Sequence, residues 1–258
     1  GGHVGFPQLL NAVTDAFRNR RDQLETSSVH IVEHIQNLND SSGEKLAELK
    51  MEDLDKAFEA IAAQFDWDLG GFGSNIKFPH ALALEFLMVY YYSNPDSSAL
   101  DMVEIALKKM YEGGIYDHIG SGFHRYSTDK EWLVPHFEKM LYDNALLSRL
   151  YVHAYQATGN DFYMGVAKDI FSFIEREMTS EDGLFYSAQD ADSEGEEGTF
   201  YTWSLDELRD LLGSDYKDSF FEKIGVTQRG NFEGRNIIHL PHGVSPYQEI
   251  WGNTESKQ

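Results

Sequence analysis

The sequence predicts a mainly α protein built from helical hairpins. Three observations carry that expectation: apolar residues recur at three- and four-residue spacing over most of the chain, strict β-type alternation is scarce, and Gly and Pro stand where helices should stop and start. Leu9, Leu10, Val13 and Phe17 form the first stripe, with Arg18, Arg20 and Arg21 off it. The polar run 37–43 interrupts the pattern and reads as a linker, which places a boundary near residue 43. Leu54, Phe58, Ile61, Ala62 and Phe65 rebuild a helical stripe. A helix through Leu100, Val103, Leu107 and Met110 should stop at Gly113-Gly114. Another is expected to open at Pro135 and run through Met140, Leu141, Leu147, Leu150, Tyr151 and Ala154 to Gly159; apolar on nearly every side, it reads as an inner helix. A third, Asp161 to Met178, sets Lys168, Asp169, Glu175 and Arg176 opposite its apolar face and reads as an outer one. Ser204 to Glu207 is a capping box that opens a short helix ending at Gly213. Between them, Leu184 to Trp203 is expected to form a small β-hairpin around the acidic stretch 190–198.

Composition narrows the function. Among 258 residues, 41% are hydrophobic and 14% aromatic, enough to bury a core without disulfides. Lys and Arg number 21 against 43 Asp and Glu, a net charge of −22, which repels phosphate backbones and anionic lipid and argues against nucleic-acid or membrane partners. Cys is absent, so thiolate chemistry is excluded from these residues and a reducing, cytoplasmic setting is expected. The longest apolar stretch, Phe86 to Tyr92, falls far short of the roughly 20 residues a bilayer crossing needs. The chain opens Gly1-Gly2-His3 without a basic start followed by an apolar block, so no secretion signal is expected and the start reads as a fragment end.

A weak repeat runs through the chain. Phe78-Pro79-His80 and Val134-Pro135-His136 should each open a helix with a His in its first turn, and Gly71-Phe72, Gly114-Ile115-Tyr116 and Gly183-Leu184-Phe185 each follow a helix. Units of this size suggest a stacked or closed array of α-hairpins. The chemistry concentrates in the loop 114–129 and the segment 132–144 after it. Asp117, His118, His124, Arg125, His136, Glu138 and Asp143 supply donors, acceptors and proton carriers, while Phe123, Tyr126, Trp132 and Tyr142 supply flat faces, the mixture that stacks on and hydrogen-bonds a sugar or polyol. Packing alone could also place aromatic plugs and satisfied polar groups there. A first-turn His136 would feel the helix dipole, lose basicity as a cation and act as a base near neutrality; His80, in the equivalent place, reads more simply as a cap or core partner. The run Asp190 to Glu197 starts like a calcium loop, but its twelfth position is Tyr201 rather than Glu, so it reads as a solvated turn or a hairpin tip that sets Asp190 or Asp192 in a pocket. His118, His124 and His136 match no usual ligand spacing, and neither metal nor cofactor is expected.

The motifs Lys77-Phe-Pro-His80, Gly114 to Asp129, Trp132 to Asp143, Tyr186 to Ser193, Gly198 to Trp203 and Gly230 to Gly234 resemble those of the spermatogenesis-associated protein 20 family over nearly the whole chain, with Ser121 where many relatives carry Gly. The resemblance implies a thioredoxin-like domain followed by an (α/α) toroid of the six-hairpin glycosidase and N-acylglucosamine 2-epimerase type. Residues 1–40 would then be the helical tail of the thioredoxin-like domain, and 41–258 the first part of a toroid left incomplete here. By fold analogy it further implies acid/base chemistry on a saccharide, epimerase-, isomerase- or glycosidase-like. His136, His118, Asp190 and Asp192 are the expected catalytic groups. His80, Asp117, Phe123, His124, Arg125, Tyr126, Trp132, Glu138, Tyr142 and Asp143 are the expected substrate contacts. The alternative is a recognition or scaffold module serving the attached redox domain.

Overall fold

The computed structural model describes residues 5–40, 50–213, 216, 218–241 and 243, with backbone alone at 38–40. The chain divides into two units, 1–53 and 54–258. In the first, α1 (Phe6–Asn19) packs on α2 (Arg21–Asp40). Pro7 starts α1 and the Gln8 side chain accepts the Gly5 N–H at 3.3 Å; an Arg20–Asp15 ion pair lies at the end of α1 and an Arg21–Glu25 pair along the start of α2, both exposed. The expected boundary near residue 43 lies outside the described residues. The stripe from Leu54 forms α3 (Met51–Ala62), across whose start the two units divide.

The second unit is mainly helical. The helix α4 (Ala81–Ser93) joins α5 (Ala99–Glu112) through residues 94–98, and α6 (Leu141–Thr158) joins α7 (Asp161–Glu177) through Gly159 and Asn160. Such short connections force antiparallel hairpins. Gly159 closes α6 at φ 67°, and the Asn160 side chain accepts the Phe162 N–H at 3.1 Å to cap α7. Helices α4 and α6 pack on one another, so the hairpins meet through their first helices. Leu84, Leu87, Met102, Leu107, Leu147 and Leu150 are fully buried in this core, and the Tyr151 hydroxyl within it donates to the Leu107 carbonyl at 2.8 Å. Beyond it, α8 (Leu205–Leu212), with its expected capping box, and α9 (Asp218–Lys223) bury Leu208, Phe221 and Ile238 in a smaller cluster.

One helix start differs from the sequence expectation. Pro135 and His136 do not begin a helix; they form β2 (Pro135–His136), antiparallel to β1 (Tyr126–Ser127), and α6 starts at Leu141. Neighbouring chain holds this stretch extended: Thr128 N–H donates to the Val134 carbonyl, Arg125 N–H to the Glu138 carbonyl and Leu141 N–H to the Ser187 carbonyl. β3 (Lys139–Met140) pairs with β4 (Ala188–Gln189). The expected hairpin over 184–203 shrinks to β5 (Asp192–Ser193) and β6 (Glu196–Glu197), turned by Glu194 and Gly195, both at positive φ, the signature of a type I′ turn.

The repeat is also placed differently. The backbone matches the loop after α3 with the loop after α5. Asp66 accepts the Asp68 and Leu69 N–H groups on Oδ1 and the Lys77 ammonium on Oδ2 at 2.7 Å, and Lys77 also donates to the Gly70 carbonyl at 2.8 Å. Asp117 accepts the Ile119 and Gly120 N–H groups on Oδ1 and the Lys139 ammonium on Oδ2 at 2.7 Å, and Lys139 donates to the Ser121 carbonyl at 2.8 Å. Both lysines are buried, and each lies against an aromatic ring, Lys77 on Trp132 and Lys139 on Phe173. Gly71 and Gly122 follow at positive φ, and a Cβ there would collide with the Trp132 and Phe173 rings respectively. An Asp–Lys clamp thus fixes two successive loops at the ends of hairpins.

Candidate functional site

The second clamp and the strands after it sort the expected site residues into two places, one on either side of the segment 123–140. The first is a cluster before α6. The Arg125 guanidinium donates to Glu138 at 2.8 Å. The His136 ring lies between two carboxylates, with Nδ1 2.7 Å from Glu197 and Nε2 3.6 Å from Glu138, and stacks on Tyr126 at 5.0 Å between centroids. Phe78 extends that aromatic face, 4.7 Å from Tyr126. Hydrogen bonds to Glu138 and then to Tyr142 hold Arg125 above its ordinary range, as a fixed cation. Asp143, in the first turn of α6, is pushed up to about 6 by burial, against the pull of Arg125 and a Tyr142 hydrogen bond. Among the described residues three buried side-chain polar atoms have no partner, and two lie here, Asp143 Oδ2 and Arg125 Nε; the third is Glu85 Oε2. Unpaired buried polar atoms beside a carboxyl that titrates near neutrality mark a place where something else can bind.

The second place is a cavity of about 800 Å³ on the far side of the segment, lined by Asp117, His118, His124, Lys139, Asp190 and Asp192 among others. Burial pushes the Asp117 carboxyl up, but the Lys139 charge and its hydrogen bond outweigh it and hold the carboxyl below its ordinary value; burial in turn lowers Lys139. Burial also takes His118 down to about 4 and His124 to about 3, so both are neutral at pH 7. His124 Nδ1 lies 2.9 Å from the Phe137 carbonyl and His118 Nε2 3.3 Å from the Gly113 carbonyl. A carbonyl only accepts, so in neutral His124 Nδ1 carries the proton and Nε2 the lone pair, while His118 is held by the Gly113 and Tyr111 backbone. Tyr201 faces His124 edge-on at 4.7 Å, and burial pushes its hydroxyl up to about 12.

The remaining expected contacts lie in neither place. Phe123 is buried in the helical core, and Trp132, 1% exposed, donates its indole N–H to the Leu69 carbonyl. His80 is the N-cap of α4, at φ 48°, with burial lowering its basicity. The first-turn dipole argument for His136 fails because β2 replaces that turn. Sequence reasoning passed over Lys139, Glu197, Tyr201 and Arg176. A signal for Lys139 was present, since Lys77 and Lys139 each follow a loop of the form Asp, three residues, Gly or Ser, Gly, Phe. Glu197 carried none, hidden in a run of acids.

Comparison with known proteins follows from these motifs. The chain is 38% identical over 221 residues to spermatogenesis-associated protein 20 of Mus musculus and 37% identical over 218 residues to that of Homo sapiens, matches covering 81% and 73% of the chain. Over that stretch the chain belongs to the spermatogenesis-associated protein 20 family. It spans 28% of the length of each of these family members. No protein-family model matches. Among solved structures, a sugar epimerase from a ruminal bacterium superposes at a TM-score of 0.49 and 17% identity, over 60% of this chain and 45% of the epimerase. A cellobiose 2-epimerase from Bacillus thermoamylovorans gives 0.48 and 16% over 54% and 40%, and a family 76 glycoside hydrolase (mannosidase) from Bacteroides thetaiotaomicron gives 0.45 and 14% over 51% and 36%. These neighbours are of the six-hairpin toroid type. Among the described residues no helix is long and apolar enough to cross a membrane.

Proposed function

We propose that the cluster before α6 is an acid/base site for a saccharide, of the kind used in epimerisation, isomerisation or glycoside cleavage. The observation that carries this reading is the Asp143 carboxyl, about 6 in its environment, with Oδ2 unpartnered beside the equally unpartnered Arg125 Nε. A group titrating near the working pH can both take and return a proton. Arg125, fixed by Glu138, would hold a hydroxyl or carbonyl oxygen and stabilise negative charge developing on it. Half-exposed Tyr142 and the Phe78–Tyr126 face would lie against the sugar ring, and the Glu197–His136–Glu138 chain would fix the floor. Proton transfer by a positioned group contributes typically about 10²–10⁴-fold. Turnover of a sugar found by thermal-shift screening should therefore fall at least about 100-fold in Asp143→Asn and depend in wild type on a group near pH 6. Unchanged turnover, or a profile flat from pH 5 to 7, would exclude Asp143 from the chemistry. A recognition module is the second reading, favoured by exposed Leu184, Phe185 and Phe200; silence across neutral, amino, acidic and phosphorylated sugars would move the weight to it.

A further inference from the structure

The cavity on the far side of the segment has a charge pattern of its own. Its two cations are already paired. Lys139 is held by Asp117, and Arg176 is held by Glu177 at 2.7 Å and by the Gly120 carbonyl. Asp190 and Asp192, at the mouth, have no ion-pair partner among the described residues; the nearest bond between them is Asp192 N–H to Asp190 Oδ1, which leaves both charges uncompensated. Inside, His124 is 2% exposed and, with its Nδ1 proton given to Phe137, presents an acceptor on Nε2 rather than a donor. The exposed Phe200 ring adds an aromatic face. Net negative charge, a buried acceptor and an aromatic face together select against anions and favour a cation that carries N–H donors. A volume of about 800 Å³ leaves room for an organic body behind the charged group.

We propose that this cavity is a binding site for a primary organic ammonium ion, held at the mouth by Asp190 and Asp192 and accepted within by His124. The site is separate from the saccharide cluster and independent of its chemistry. The hairpin β5–β6 joins them, since Asp192 pairs in register with Glu197, the residue that holds His136.

The test is calorimetric titration of the chain with 1,4-diaminobutane and with its neutral isostere 1,4-butanediol. The expected result is binding of the diamine, weakening with added salt, and at least tenfold weaker binding of the diol. Asp190→Asn with Asp192→Asn should weaken the diamine at least tenfold. Asp206→Asn with Asp210→Asn, which removes the same charge from α8 outside the cavity, should leave it unchanged. No diamine binding at millimolar concentration, equal binding of the diol, or equal losses in the two double variants would overturn the proposal, the last by reducing it to general attraction to an acidic chain. Calcium chloride displacing the diamine more effectively than sodium chloride of equal ionic strength would reassign the carboxylates to a hard cation and overturn it as well. The diol comparison needs no variant and stands if Asp190→Asn misfolds.

Discussion

Asp143 gives the most direct reading of a single residue. Its folded value of about 6 lies above the ordinary 3.8, so the folded chain holds this proton more tightly than the unfolded one. The stabilising contribution is complete below pH 4 and is lost as the pH rises through 6. Asp143→Asn should therefore raise the melting temperature at pH 7 and leave it unchanged near pH 4; equal shifts at both values would mean that the carboxyl is not strained. His124 has the opposite sign. Its folded value of about 3 lies below the ordinary 6.5, so stability is lost as the pH falls below 6.5, and His124→Asn, which keeps a donor for the Phe137 carbonyl, should flatten that limb of a melting-temperature profile. Neither environment was legible in the sequence. The residue types were, as was their crowding into 114–144, but the alternation of an extended segment sends neighbours such as His124 and Arg125 to opposite sides, and a helical reading of 135–140 concealed it.

At the scale of elements, the hairpins were legible because their signals are local: Gly159 at a C-terminus, Ser204 as a cap, and a 3.6-residue period between them. The start of α6 was not, because Pro135 is as welcome at the beginning of a strand as in a first helical turn, and the choice was made by partners at 125–128 and 187–189. Ser204→Ala should cost about 1 kcal/mol, read by urea unfolding, by freeing the Glu207 N–H. The clamps should behave unlike surface pairs. Lys139 is buried, so Lys139→Met leaves Asp117 charged with one partner lost and should cost about 3 kcal/mol or more. Lys108, 43% exposed beside Glu104, should give less than about 1 kcal/mol on the same substitution. Similar losses at the two positions would show that the buried pair is no more than a surface one.

For the molecule as a whole, composition gave an acidic chain able to bury a core, periodicity a mainly helical one, and the motifs its family. The division of the expected site between an open cluster and a cavity was beyond the sequence, since it depends on which face of one short segment each side chain takes. If the two places work as proposed they are separable: the stability effects of substitutions at Asp143 and at Asp190 with Asp192 should add within about 0.5 kcal/mol, and a larger deviation would show coupling through β5–β6. The Asp–Lys clamps have a further consequence. The N–H groups of Leu69, Ile119 and Gly120 lie in loops, outside any helix or strand, yet each is bonded to a carboxylate that a lysine holds in place. In deuterium oxide these loop amides should exchange on the slow timescale of the helices they join, and should speed up together only when the hairpin ends come apart.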